Sequence, residues 1–130
     1  MKDETNNLLR KAHHAIRAAE ILLKGDECDF AAGRAYYAMF YTAKALLCER
    51  GLRRFTKHQA IHAAFGENFA KTDVIPPKFH RWLLEAFDAR LKGDYEAESV
   101  LNSEDVATML KQAREFLEAA HQHLTSSGTS

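Results

Sequence analysis

Residues 29–50 most restrict the fold, because they form a predicted helix that is apolar on nearly every side. The run FAAGRAYYAMFYTAKALL lies within it and lacks the polar face of a surface helix. Such a helix must be covered on most sides, either by neighbouring helices or by a partner subunit. Gly51 is predicted to end it, with Leu52 placed for the hydrophobic contact that follows a glycine C-cap. Two interpretations stay open: the core helix of a bundle, or a binding surface or dimer seam that presents tyrosines.

Apolar residues at helical spacing predict four further helices. Their ranges are 5–24, 57–70, 77–92 and a last helix from Ser103 to about residue 124. No useful stretch of period-two alternation occurs, and the connections are short. We therefore predict an all-α fold, an up-and-down bundle of about five antiparallel helices in one domain, residues 1–124.

Capping residues predict where these helices begin and end. Thr56 is expected to cap the third helix and Ser103 the fifth. Gly66 weakens the continuity of the third helix, and Gly93 is expected to end the fourth and open an acidic linker. The small polar residues 125–130 are expected to form a disordered tail.

Composition limits the function classes. The 130 residues hold 18 Lys and Arg against 18 Asp and Glu, a formal net charge of zero, which argues against nucleic-acid binding by bulk charge. Two cysteines cannot form a disulfide framework. The N-terminal sequence lacks the apolar run of a secretory signal, and no stretch is long enough to span a membrane. We expect a cytoplasmic protein with no membrane association.

The charges are nevertheless unevenly placed along the chain. Residues 44–58 hold five basic residues against Glu49 alone, and residues 94–105 hold five acidic residues with no Lys or Arg. The basic segment precedes a predicted helix N-terminus, where phosphate binds favourably. A phosphate or nucleic-acid site is one interpretation; solvated cations near a helix C-terminus are the other.

Histidines offer further chemistry. His58 and His62 have the i, i+4 spacing that zinc accepts, but no third ligand is evident, so neither a metal nor another cofactor is predicted. Arg53 and His58 flank a loop-to-helix entry. A guanidinium can hold a phosphate and an imidazole can transfer protons near neutral pH. Together they would suffice for metal-independent RNA cleavage, in which the 2′-hydroxyl attacks its own phosphate.

Three segments together resemble the small stand-alone HEPN-domain proteins of bacteria and archaea. They are GRAYYAMFYTAKALLCERGL, the Thr56-Lys57-His58 entry with the later Phe65, and DARLKGDY at 88–95. The likeness covers roughly residues 5–124. It implies a short up-and-down bundle, often a homodimer, often encoded beside a minimal nucleotidyltransferase, with RNases and toxins among the members. Catalytic members carry an arginine, four to six residues and a histidine, and the natural match here is Arg53 with His58.

The leading hypothesis is a HEPN-type module that binds RNA or a nucleotide, or acts with a nucleotidyltransferase partner in a toxin–antitoxin-like context. Alternatives are a metal-independent endoribonuclease that uses Arg53 and His58, and a non-catalytic homodimeric adaptor. Arg90 either lines a cleft with the tyrosines or pairs with Asp94 at i, i+4. The candidate binding residues are Arg50, Arg54, Lys57, Tyr37, Tyr41, Arg90 and Tyr95.

Overall fold

A computed structural model describes residues 1–128, with side chains up to residue 126. Within that part of the chain there are five α-helices and no strand, so the all-α prediction is confirmed. The helices are α1 (Asp3–Lys24), α2 (Cys28–Glu49), α3 (His58–Phe65), α4 (Lys78–Tyr95) and α5 (Ser103–Gly128). None of these described helices is long and apolar enough to cross a membrane.

Helix α2 lies at the centre of the bundle and packs against each of the other four helices. Fifteen of its 22 residues are buried within the single chain, among them Tyr36 and Met39. The core interpretation of this apolar helix is therefore confirmed. An outward stripe at helical spacing remains exposed or half-buried: Phe30, Arg34, Tyr37, Tyr41 and Lys44.

The end of α2 has the predicted glycine cap. Gly51 has φ +80°, in the left-handed region that only glycine adopts freely. Its N–H donates to the Cys48 carbonyl at 2.9 Å, and the N–H of Leu52 donates to the Leu47 carbonyl at 2.9 Å. Leu52 packs against the core, as expected for this type of helix end.

Two predicted N-caps are wrong. Helix α3 begins after Lys57, with no side-chain cap, because Thr56 lies one residue too early. Helix α5 begins at Ser103, but Asn102 is the capping residue: its Oδ1 accepts the N–H of Asp105 at 2.8 Å.

Helix α3 passes into a π-helical turn at Gly66–Ala70, so the predicted helix 57–70 is not a single α-helix. The N–H of Lys71 reaches back five residues to the Gly66 carbonyl, at 2.8 Å. Gly66 lies directly under His80 of α4: a Cβ at Gly66 would be 2.6 Å from His80 Nε2. The missing side chain allows α4 to approach this closely.

Helices α4 and α5 both extend beyond their predicted ends. Helix α4 continues through Gly93 to Tyr95, so Gly93 does not end it. Gly93 instead packs closely against Asp29 of α2. Helix α5 continues to Gly128, so residues 125–128 of the expected disordered tail are helical. Residues 129 and 130 lie outside the described part of the chain.

Candidate functional site

The candidate site forms where the first turn of α3 meets the middle of α2 and the end of α4. Lys57 and His58 come from the start of α3, and Arg90 and Tyr95 come from α4. With their neighbours they line an open cleft of about 550 Å³, called here the histidine cleft. Its lining residues are Lys57, His58, Gln59, Ala60, Phe87, Arg90, Leu91 and Tyr95.

A hydrogen-bonded chain of three side chains lies behind the cleft. The hydroxyl of Tyr36 is 2.7 Å from His58 Nδ1 and 2.7 Å from His62 Nε2. Tyr36 is fully buried and His62 is 3% exposed, whereas His58 is half-buried and reaches the cleft. Since Nδ1 of His58 is used internally, Nε2 is the ring nitrogen left for the cleft.

Aromatic rings hold the two imidazoles in place. The His58 ring stacks on Phe40, with centroids 4.2 Å apart and planes at 14°. The His62 ring meets Phe87 nearly edge-on, with centroids 4.9 Å apart. Both imidazoles therefore belong to a packed aromatic cluster, in which rotation of either ring is restricted.

Burial sets the protonation states of this chain. Burial lowers the pKa of His62 to about 4, with further lowering from His58 and His80. Burial also lowers the pKa of His58, and the cations Arg90 and Lys44 add to this effect. Burial raises the pKa of the Tyr36 hydroxyl, against a smaller opposing effect of Arg90. At neutral pH all three groups are therefore uncharged.

Arg90 supplies a cation to the site. Its guanidinium carbon lies 5.0 Å from the Tyr37 ring centre and 5.7 Å from that of Tyr36. Its Nε is 3.2 Å from Asp94 Oδ2, so the predicted i, i+4 ion pair is present. Arg90 also lines the cleft, so the two interpretations of this residue hold together.

A second cleft, of about 350 Å³, lies on the other side of Arg90. Tyr37 lines it, and so does Arg34, whose guanidinium carbon is 4.7 Å from the Tyr37 ring centre. Phe30 lies beside them with 64% of its surface exposed. Two cations thus contact one tyrosine ring next to an exposed phenyl ring.

Among the predicted binding residues, the structure brings Lys57, Arg90 and Tyr95 together around His58, and the Tyr37 ring meets the His58 ring edge-on, with centroids 5.6 Å apart. The other predicted residues lie elsewhere, and their contacts are as follows. Arg50 donates to the Asn68 carbonyl and lies over Phe69. Arg54 lies over Phe55, and Lys11 of α1 lies over Tyr41.

Arg53, the predicted partner of His58, pairs with Glu4 of α1. Arg90, and not Arg53, lines the histidine cleft together with His58. Both pairs cross the bundle, so sequence spacing does not reveal them.

Sequence reasoning missed Tyr36, His62 and Phe87 as parts of this site. The i, i+4 spacing of His58 and His62 was the available signal, because it places both rings on the same face of α3. That face packs on a tyrosine of the apolar helix. The described residues hold no group of three or more His, Cys, Asp or Glu side chains that could bind a metal ion.

Comparison with known proteins agrees with this architecture. The chain is 34% identical over 110 residues to a UPF0332 protein of Thermotoga maritima. The aligned region covers 85% of this chain and 83% of the relative. It is 31% identical over 125 residues to a protein of Methanocaldococcus jannaschii whose name describes a candidate toxin (96% of this chain, 84% of the relative). A UPF0332 protein of Gloeobacter violaceus is 32% identical over 125 residues (95% and 98%). The sequence pattern of the HEPN domain matches residues 5–123. The chain therefore belongs to the HEPN domain family.

Proposed function

We propose that this chain binds RNA or a nucleotide through phosphate contacts in the histidine cleft, as the HEPN member of a toxin–antitoxin-like pair. The observation that carries the proposal is the fixed imidazole of His58 beside the guanidinium of Arg90 in one open cleft. The names of two relatives from Methanocaldococcus jannaschii, both described as candidate toxins, support the toxin-like context.

The cleft has the side chains that such a ligand requires. Arg90 can donate two parallel hydrogen bonds to a phosphate, and Lys57 adds a second positive charge. Tyr95 is 82% exposed, so its ring is free to stack on a base. Asp94 pairs with Arg90, which keeps the guanidinium oriented without covering it fully: the Arg90 side chain remains 24% exposed.

The test is fluorescence anisotropy with a labelled single-stranded RNA, and with adenosine monophosphate as competitor, across a salt series. We expect Arg90→Gln and Lys57→Gln each to weaken binding. Each should also flatten the salt dependence by about 0.7 in the logarithmic slope for every phosphate that the variant no longer neutralises. Arg81→Gln and Lys71→Gln are matched controls, because both residues line a different groove between α4 and the π-helical turn.

Two results would contradict the proposal. One is the absence of RNA and nucleotide binding by the wild-type chain at low salt. The other is an equal loss of affinity in the cleft variants and the control variants, which would assign binding to general charge rather than to the histidine cleft.

A second candidate function is metal-independent RNA cleavage with His58 as the proton-transferring group. This candidate is favoured because His58 and Arg90 both line the histidine cleft. An imidazole and a guanidinium in one cleft can contact the same phosphate. RNA cleavage in EDTA compares the wild type with His58→Ala, Arg53→Ala and Arg90→Gln. Cleavage that survives His58→Ala, or that requires a metal ion, would refute this candidate.

The partner proteins are part of the same proposal. We expect a homodimer and a minimal nucleotidyltransferase as the second member of the pair, as the family resemblance implies. The outward stripe of α2, with Tyr37 and Tyr41 at its centre, offers a face for a second copy. Light scattering tests the dimer: a monomer at all concentrations would exclude it and, with it, the homodimeric adaptor.

A further inference from the structure

Arg90 belongs to two clefts at once. It lines the histidine cleft and also the second cleft, which has a volume of about 350 Å³. Tyr37 connects the same two regions, because its ring lines the second cleft and also meets the His58 ring edge-on. A ligand group that Arg90 holds in the histidine cleft therefore lies beside the second cleft.

The ion pair with Asp94 leaves part of the Arg90 guanidinium available to a ligand. Asp94 Oδ2 is 3.2 Å from Nε of Arg90, whereas the two terminal nitrogens carry four further N–H donors. These donors suit the two free oxygens of a phosphodiester. A phosphodiester has a nucleoside on each side, and the two clefts that Arg90 lines offer a place for each of them.

The second cleft has the side chains that a further nucleotide requires. Phe30 presents a phenyl ring that is 64% exposed, on which an unpaired base can stack. Arg34 supplies a cation, and within the part of the chain that the structure describes no carboxylate lies at ion-pair distance from it. Small-molecule sites have volumes of about 300–1,000 Å³, so this cleft suits a single nucleotide.

The two arginines are close enough to contact neighbouring phosphates of one strand. The guanidinium carbon of Arg34 lies 4.7 Å from the Tyr37 ring centre, and that of Arg90 lies 5.0 Å from the same point. The two carbons are therefore no farther apart than the sum of these distances. A groove with closely spaced cations can follow the backbone of a single strand.

The charges and rings of the two clefts suit a single strand as well. Each cleft has one strongly exposed aromatic ring, Tyr95 in the histidine cleft and Phe30 in the second cleft. Proteins that bind single strands combine such rings with cations along the backbone. The charged residues that line the two clefts are three basic residues and one acidic residue: Lys57, Arg34, Arg90 and Asp94.

We propose that the second cleft is a second nucleotide subsite, in which Phe30 stacks on a base and Arg34 contacts the next phosphate. Arg90 then holds the phosphodiester between the two subsites. The ligand class is single-stranded RNA of two or more nucleotides, and not a free mononucleotide. This inference rests on the proposed function and decides between the ligands left open there. Tyr41 does not line the second cleft, so it stays available to the proposed second copy.

The test measures how well two competitors displace a labelled single-stranded RNA from the full chain at one low salt concentration. The competitors are adenosine monophosphate and the 5′-phosphorylated dinucleotide pApA. The affinity for pApA should be at least about fivefold higher, the effect of stacking one further base. Phe30→Ala should remove most of this advantage and leave the affinity for the mononucleotide unchanged, because its single base can still stack on Tyr95. Phe30→Tyr, which keeps an aromatic ring, should retain the advantage.

Arg34→Gln tests the second phosphate contact. It should lower the affinity for the labelled RNA several-fold and flatten the salt dependence by about 0.7 in the logarithmic slope, the effect of one phosphate. The matched controls are Arg81→Gln for the lost charge and Ile21→Ala for the lost apolar surface, since Ile21 is 69% exposed and neither residue lines the two clefts. Both controls should bind pApA and RNA as the wild type does.

The outcomes separate this inference from the proposed function. If Arg90→Gln weakens RNA binding but pApA binds no more tightly than adenosine monophosphate, the second subsite is refuted and the histidine cleft stands. Wild-type affinity for pApA in both Phe30→Ala and Arg34→Gln would refute the subsite in the same way. A wild-type chain that binds neither RNA nor nucleotide would refute both proposals. Light scattering identifies the competing arrangement: a loss of dimer in Phe30→Ala would assign this surface to a second copy and overturn the inference.

Discussion

The imidazole of His58 lies flat against the phenyl ring of Phe40, with ring centroids 4.2 Å apart. This stack joins the start of α3 to the middle of α2. It also orients the His58 ring so that one nitrogen meets Tyr36 and the other is left for the histidine cleft. Phe40 is 5% exposed, so it serves both the core and the site.

Replacing Phe40 therefore affects stability and the site together. Phe40→Ala removes a buried phenyl ring and leaves a cavity beside His58, so we expect a loss of about 3 kcal/mol or more in the free energy of unfolding. Urea denaturation measures it. The matched control is Phe30→Ala on the same helix: because Phe30 is 64% exposed, its loss should change stability by less than about 0.5 kcal/mol. Equal losses in the two variants would contradict the packing described for Phe40.

Acid should destabilise the protein through His62. Its pKa is about 4 in the folded chain against an ordinary 6.5, so protonation favours the unfolded state. The contribution of His62 to the free energy of unfolding is fully present above pH 6.5. It is lost as the pH falls toward 4, by about 3 kcal/mol in total. The lowered pKa of His58 and of His123 acts in the same direction.

The measurement is a series of urea denaturation curves between pH 7 and pH 4. His62→Gln should be less stable at pH 7 but should lose less stability on acidification. His14→Gln, at an exposed position on α1, should follow the wild-type profile. A His62→Gln profile parallel to that of the wild type would show that another group causes the acid sensitivity.

The fold was predictable from the sequence because its determinants are local or compositional. The apolar residues of 29–50 left α2 no solvent-facing side wide enough for a surface helix, and Gly51 marked its end. Helix ends were less predictable where a tertiary contact decides them. Gly93 resembles a helix terminator, yet it lies within α4 because it packs on Asp29.

The candidate site was only partly predictable, since its pairs cross the bundle. Sequence spacing placed Arg53 near His58, but the loop after Gly51 turns Arg53 toward Glu4 of α1. Arg90 lines the same cleft as His58 but comes from another helix, and no local sequence pattern signals that arrangement. Tyr36 was recognised as part of the apolar helix, but its hydroxyl bonds depend on the packing of α3 against α2.

The contact between Gly66 and His80 predicts that Gly66→Ala destabilises the protein when His80 is present and stabilises it when His80 is replaced by alanine. A Cβ at position 66 would lie 2.6 Å from His80 Nε2, which donates to the His62 carbonyl at 3.1 Å. Gly66→Ala should therefore displace His80 and destabilise the protein by about 1–3 kcal/mol. In a His80→Ala background the clash is absent, and Gly66→Ala should instead stabilise by up to about 1 kcal/mol through helix propensity. Thermal denaturation of the four proteins in this double-mutant cycle measures the coupling, and additive effects would disprove the contact.

The left-handed backbone of Gly51 gives a prediction about the end of α2. Gly51→Ala places a Cβ at φ +80° and should destabilise the protein by about 1–2 kcal/mol. Gly25, at the end of α1, has φ −86°, and a Cβ there would meet only ordinary contacts at 3.6 Å. Gly25→Ala should therefore be neutral or slightly stabilising. Chemical denaturation compares the two, and a reversed order would contradict the backbone conformations.

Replacing Arg53 and replacing Arg90 should have different effects on RNA affinity. Arg53 forms an exposed ion pair with Glu4, with 61% of its side chain accessible, so Arg53→Gln should cost less than about 1 kcal/mol of stability. We expect it to leave RNA affinity close to that of the wild type, because Arg53 does not line the histidine cleft. Arg90→Gln removes the guanidinium beside His58 and should lower the affinity at least several-fold, as expected for a charged hydrogen bond to phosphate. Anisotropy titrations of both variants at one low salt concentration test the pair, with circular dichroism to confirm equal helix content. A larger loss of RNA affinity in Arg53→Gln than in Arg90→Gln would indicate that the loop before α3 contacts the phosphate. It would refute the assignment of that contact to the histidine cleft.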